Sequence, residues 1–148
     1  MTIELAGITF RIQNRYPETE HLCHAYETTD PPEIEIRISP EEIAFERERS
    51  VHEDIRCGRR VKDWPDGYLE TLAVYRKISE KLPEYDTFLF HGSAIAVDGA
   101  AYIFTAKSGT GKSTHTRLWR EMLGMRAVMV NDDKPLIKVL PDGSAAVY

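Results

Sequence analysis

A two-part α/β fold is predicted by three features of the sequence. Clean two-residue alternation from Glu33 to Ser39 marks a half-buried strand, and an amphipathic helical pattern runs from Tyr68 to Leu82. Further on, the apolar run Ala101-Tyr102-Ile103-Phe104 passes through a glycine-containing turn into a second helical stretch. Charge divides the chain as well: residues 1–85 carry 12 Lys+Arg against 18 Asp+Glu, and residues 86–148 carry 7 against 6. The reading is an acidic N-terminal strand-and-helix segment over 1–85, joined near Tyr85 to a nearly neutral, more apolar segment over 86–148.

Taken in order, Ile3, Leu5, Ile8, Phe10 and Ile12 alternate loosely and predict one strand with a bulge at Gly7. The polar stretch from Tyr16 to Pro32 reads as a loop. Ile34, Ile36 and Ile38 then face one way, with Glu33, Glu35 and Arg37 opposite. Ser39-Pro40-Glu41-Glu42 has the form of a capping box with proline at the first helical position, predicting a short charged helix to about Arg49. Gly58 to Gly67 is a break, and Leu69, Leu72, Ala73, Ile78 and Leu82 make the apolar face of the next helix, stopped by Pro83. Phe88–Val97 and Ala100–Thr105 are apolar runs joined by Asp98-Gly99, a two-residue hairpin signal. A helix over Lys112–Leu123 stopped by Gly124, a buried strand over Arg126–Val130, and a final strand–turn–strand around Pro141-Asp142-Gly143-Ser144 complete the prediction.

Composition narrows the function classes. With 148 residues, 42% hydrophobic and 29% charged, the chain suits a folded globular protein. A net charge of −5 argues against bulk binding to nucleic acid or an anionic membrane. No apolar run approaches the about 18 residues of a membrane span, and MTIELAGITF lacks the basic and apolar regions of a signal peptide. Cys23 and Cys57 are the only cysteines, so reduced thiols and a cytoplasmic location are expected. His21, Cys23, His24, His52 and Cys57 have metal-type side chains but no zinc spacing.

The most informative segment is Ala106-Lys107-Ser108-Gly109-Thr110-Gly111-Lys112-Ser113, followed by Thr114. It matches the phosphate-loop pattern G-x-x-x-x-G-K-[ST], with alanine for the first glycine. Successive backbone N–H groups must curl around a polyphosphate, which Gly109 and Gly111 permit, while the following helix directs its positive end at the same anion. Lys112 is expected on the β- and γ-phosphates of ATP and the Ser113 hydroxyl on Mg²⁺.

A second element is Asn131-Asp132-Asp133, which follows the apolar strand Ala127-Val128-Met129-Val130. Carboxylates at the end of a parallel strand beside the phosphate-loop strand would sit in the same crevice. One could bind Mg²⁺ and the other accept a proton from an attacking hydroxyl. Asn-Asp-Asp is also ordinary turn chemistry. His91 lies in the apolar run Phe88-Leu89-Phe90-His91-Gly92-Ser93 and reads equally as a satisfied core residue or as a site residue, with Gly92 beside it signalling close backbone approach.

His91-Gly92, the strand, Ser108–Ser113 and then Asp132-Asp133 together resemble the HPr kinase/phosphorylase family, which shares its core with ATP-dependent phosphoenolpyruvate carboxykinases. The resemblance covers roughly residues 88–148. It implies a partial P-loop mixed sheet and a Mg-ATP-dependent transfer to a serine on a protein or peptide. Lys112 would contact the phosphates, and Ser113 the metal. One of Asp132 and Asp133 would be general base, the resemblance favouring Asp132, and the other a metal contact. His91 would lie near the phosphates. The family continues where this chain stops at Tyr148, so the expectation is a fragment of a longer protein or a site completed by a partner chain. The final strand, Ala145–Tyr148, is expected to have no following neighbour, so its unpaired groups predict a homo-oligomer or a marginally stable monomer. Two further readings are a non-catalytic nucleotide-binding regulatory module and a carboxykinase-like enzyme acting on a small carboxylic acid. The latter lacks residues for the acid. A GTPase is disfavoured, because N-K-x-D and D-x-x-G are absent.

Overall fold

The computed structural model, which describes residues 1–107 and 109–148, divides between Lys81 and Leu82 into two units. Among the described residues, nine strands form three small sheets accompanied by four α-helices. In the first unit, β1 (Thr2–Leu5) and β2 (Ile8–Gln13) are antiparallel, with Ile3 opposite Phe10 and Leu5 opposite Ile8. The single bulged strand expected over this stretch is thus a hairpin. Ala6 and Gly7 both take positive φ, 54° and 73°, as a tight two-residue turn requires. The phase slip from Leu5 to Ile8, which suggests a bulge locally, is the turn itself.

The expected loop from Tyr16 to Pro32 contains a helix, α1 (Pro17–Cys23), and a 3₁₀ turn over His24–Tyr26. Its cause lies far along the chain. The fully buried Glu70 carboxylate accepts hydrogen bonds from Arg15 N–H (2.7 Å), Tyr16 N–H (3.0 Å) and the Thr19 hydroxyl (2.9 Å). Three donors at the start of α1 satisfy a group that would otherwise be very costly to bury.

Strand β3 (Ile34–Arg37) lies parallel to β2, giving a mixed sheet in the order β1-β2-β3. Helix α2 (Pro40–Arg56) begins on the expected capping box, in which Ser39 and Glu42 bond each other's backbone N–H. It runs to Arg56 rather than Arg49. Within the added turns Asp54 is buried and accepts from Arg59 (2.9 Å) and from Lys62 N–H (3.3 Å), closing the connection to α3 (Asp66–Lys81). Between the two helices the buried Glu46 meets Arg76 at 2.6 Å. Ile3, Ile8, Phe10, Ile12, Ile36, Leu69 and Ala73 are buried in this unit.

In the second unit the chain runs through β4 (Thr87–Leu89), β5 (Ser93–Val97), β6 (Ala100–Phe104), α4 (Lys112–Leu123), β7 (Ala127–Asn131), β8 (Leu136–Val139) and β9 (Ala145–Val147). One sheet has the order β6-β5-β7 and the other β4-β8-β9. All the described strand pairs of this unit are antiparallel, so the mixed pairing expected for 86–148 is found only in the first unit. Asp98 and Gly99 form the predicted turn, with φ of 50° and 84°, and α4 has the expected bounds, ending at Gly124 with φ 59°. The strand after α4 is half-exposed rather than buried, Val128 facing outward. No helix among the described residues is long and apolar enough to cross a membrane.

The run Phe88–Val97, expected as one strand, is broken at Phe90-His91-Gly92 and shared between the two sheets. Phe90 N–H donates to Pro135 O (2.9 Å) and Gly92 N–H to Asp133 O (3.0 Å). At Gly92 a Cβ would lie 2.9 Å from the carbonyl oxygen of Phe104 and 3.2 Å from Ile103 Cγ2 and Phe90 Cε1. This is the close backbone approach signalled by its position in the sequence.

Glu70→Leu should lower stability by about 3 kcal/mol by leaving three donors without an acceptor, measured by urea unfolding. Gly92→Ala should cost about 1–3 kcal/mol, because its nearest clash is with backbone, and it should lower the thermal midpoint. A neutral result for either would contradict the structural role of that residue.

Candidate phosphate-binding site

Strand β6 ends at Phe104, and the chain turns through Thr105 and Ala106 toward α4. Thr110 closes a tight turn, its N–H and its hydroxyl both donating to Lys107 O (3.2 and 2.5 Å). Gly109 and Gly111 have φ of 79° and 99°. An added Cβ at Gly109 would meet nothing within 4 Å, so glycine is needed there for its backbone angle, not for space. Gly111 is the N-cap of α4 and has no side-chain cap; its carbonyl accepts the His115 N–H at 2.9 Å. Lys112 opens the helix and swings back so that Nζ donates to Ala106 O at 3.0 Å, spanning the turn. Lys107, Ser113 and Thr114 are exposed. Ser108, an expected phosphate contact, lies outside the described residues.

The carboxylates reach the same end of the sheet by a route that the sequence does not announce. Strand β7 is not beside β6: β5 lies between them and runs against both. Ser93 pairs with Phe104 on one side, and Ala94 pairs with Asn131 on the other. The loop after β6 and the turn after β7 therefore both leave from the start of β5. The Asp98-Gly99 hairpin sets β5 beside β6, and the chain returning from α4 pairs with the far side of β5, which leaves β6 as the outer strand.

In the Asn131-Asp132-Asp133 turn, Asn131 Oδ1 accepts the N–H groups of Asp133 (3.0 Å) and Lys134 (2.8 Å). The turn chemistry read from sequence is therefore present, alongside two differently placed carboxylates. Asp132 Oδ1 lies 2.6 Å from Ser93 Oγ, which is also 3.1 Å from Thr116 Oγ1. The Ser93 hydroxyl has one proton, and the shorter, charge-assisted bond to Asp132 claims it. Thr116 lies within reach of Ser113 O (3.2 Å) and Lys112 O (3.4 Å). Asp133 is exposed, with Oδ1 3.5 Å from His91 Nε2 and Oδ2 3.7 Å from Lys134 Nζ. His91 is exposed rather than a core residue, and its carbonyl accepts from the Thr105 hydroxyl at 3.2 Å.

Ser93 and Thr116, both fully buried, were missed by sequence reasoning. A signal existed. Ser93 is in phase with the core residues Ile95 and Val97, and Thr116 with Trp119 and Leu123, so each is a hydroxyl in an apolar register. The metal-type side chains of the first unit do not assemble: among the described residues no group of three or more His, Cys, Asp or Glu could hold a metal ion. Cys23 is buried on α1, and Cys57 is exposed at the end of α2. Burial raises the Cys23 thiol above its ordinary pKa. No protein-family model, curated protein or solved structure matches the chain.

The Ser93–Asp132 bond is measurable. Ser93→Ala should destabilise by about 1 kcal/mol, and a double-mutant cycle with Asp132→Ala should return a coupling of similar size. Strictly additive effects in urea unfolding would mean that the two side chains do not interact in solution.

Proposed function

We propose that the second unit binds Mg-ATP through residues 106–114 and that the chain is a phosphotransferase resembling HPr kinase, directed at a serine on a protein or peptide. One observation carries this reading: the register of β5 brings the glycine turn, Lys112 and the Asp132-Asp133 turn to one end of one sheet. The residues suit the ligand. Gly109 and Gly111 hold the left-handed angles that a ring of backbone N–H groups needs, and the first turn of α4 has no side-chain cap competing for its donors. Lys112 would exchange the Ala106 carbonyl for phosphate oxygens.

Mg²⁺ takes one or two protein oxygens together with phosphate oxygens and water, so Ser113 and Asp133 are a sufficient protein contribution. The ion would neutralise charge on the phosphates. Asp132 would accept the proton of the serine hydroxyl through the oxygen that Ser93 does not hold, and His91 would sit beside Asp133 at the phosphates. A second reading, nucleotide binding without turnover, draws on the same Ser93 bond, which already engages one oxygen of the expected base.

Calorimetric titration with ATP and Mg²⁺ tests the first step. Lys112→Ala should weaken binding about ten- to a hundredfold, the value of a charged hydrogen bond. Unchanged affinity would remove the phosphate-loop assignment. Transfer is tested with radiolabelled ATP and a library of serine-bearing peptides. Asp132→Asn should lower the rate by on the order of a hundredfold with ATP affinity retained, and Asp133→Asn should instead shift the Mg²⁺ dependence. Nucleotide binding without labelling of any acceptor would favour the second reading.

A further inference from the structure

The glycine turn offers backbone N–H groups and Lys112 to phosphates, and a nucleoside triphosphate also carries a base. Beside it runs a row of aromatic rings. Phe104, two residues before Ala106, makes an edge-to-face contact with His115 (centroids 4.7 Å apart, planes at 71°). Trp119, one helical turn after His115, lies 5.3 Å from Phe104, 6.1 Å from His115 and 5.3 Å from Tyr102. The row begins where the turn ends: His115 donates its backbone N–H to Gly111 O, and β6 is the outer strand of its sheet.

Core packing explains half of this row. Phe104 and Trp119, with Leu123 and Met129, cover the buried cluster Ile95, Val97 and Ala127. His115 and Tyr102 remain exposed, Tyr102 at 43%. Exposed rings in sequence with a phosphate-type turn have the chemistry of a stacking surface, since any nucleobase offers a π-face to an aromatic side chain.

We propose that this row is a base-binding subsite, in which His115, backed by Phe104 and Trp119, stacks the purine of a nucleoside triphosphate whose phosphates lie in the 106–114 turn. The inference rests on the phosphate-binding reading and deepens it. The subsite recognises the planar base by stacking, so it separates a nucleotide from a bare polyphosphate rather than one purine from another.

Inorganic tripolyphosphate against ATP, each with Mg²⁺, is the test, and Trp119 is the reporter. Trp64→Phe removes the other tryptophan, which lies in the first unit. ATP should bind about ten- to a hundredfold tighter than tripolyphosphate and change Trp119 fluorescence, while tripolyphosphate leaves it unchanged. His115→Ala should bring the two affinities together, His115→Phe should keep them apart, and Lys112→Ala should weaken both. Equal affinities in the parent with Trp119 silent, or an unchanged ratio in His115→Ala, would overturn the subsite and leave the phosphate reading standing. Failure of both ligands to bind the parent would overturn the two together.

Discussion

Strand β5 constrains everything of interest in the second unit. It has a neighbour on each side, both running against it, and its first two residues stand opposite the last residues of β6 and β7. The glycine turn and the carboxylate turn lie at the same end of this sheet. They meet because one short strand fixes both registers. The residue before it, Gly92, lies so close to the Phe104 carbonyl that any side chain would push β6 outward. A slip of one residue would turn Ser93 away from Thr116 and Asp132 and expose Ile95. Ser93 joins this register to the site, because its hydroxyl holds the β7 turn on one side and touches the first turns of α4 on the other.

The first unit turns on a comparable but purely structural group. Glu70 brings a carboxylate into an apolar setting, and the chain ahead of α1 supplies three donors to it. This arrangement gives Tyr16–Cys23 its order. The polar sequence there buries little of its own, and a helix as short as α1 does not hold in water without tertiary support. Glu46 with Arg76, and Asp54 with Arg59, extend the same strategy along α2. Buried carboxylates stabilise through satisfied partners and not through charge alone, so each fixes one arrangement of its neighbours.

Local chemistry was legible in the sequence, and long-range partnership was not. The Ser39 capping box, the Asp98-Gly99 hairpin and the Lys112–Leu123 helix with its Gly124 stop depend on residues within a few positions of one another, and each was readable. The helix over Pro17–Cys23 depends on a side chain some fifty residues away and reads as loop without it. The placement of β7 beyond β5 depends on which strand first occupies the side of β6, a matter of topology that periodicity does not encode. For the candidate site, the glycines and Lys112 were visible as a pattern. The hydroxyls that join the two turns were not, because a serine or threonine in an apolar phase looks like a tolerated exception until its partner is known.

That hidden pair of hydroxyls also divides the two adjacent aspartates. Asp132 bonds a fully buried serine at 2.6 Å, and withdrawing from it would leave a buried hydroxyl short of its acceptor. Among the described residues the Asp133 carboxylate meets exposed partners, His91 at 3.5 Å and Lys134 at 3.7 Å, contacts of a kind worth well under about 1 kcal/mol each. Identical side chains one residue apart are thus held with different firmness before any ligand arrives. A group that must take up a cation and release it needs weak prior contacts, whereas one that must meet a hydroxyl in a fixed direction needs a firm one. Under the proposed function, the lightly held Asp133 suits Mg²⁺, and the firmly bonded Asp132 suits the acceptor proton. On that reading, the same sheet register that joins the turns separates the roles of the two carboxylates.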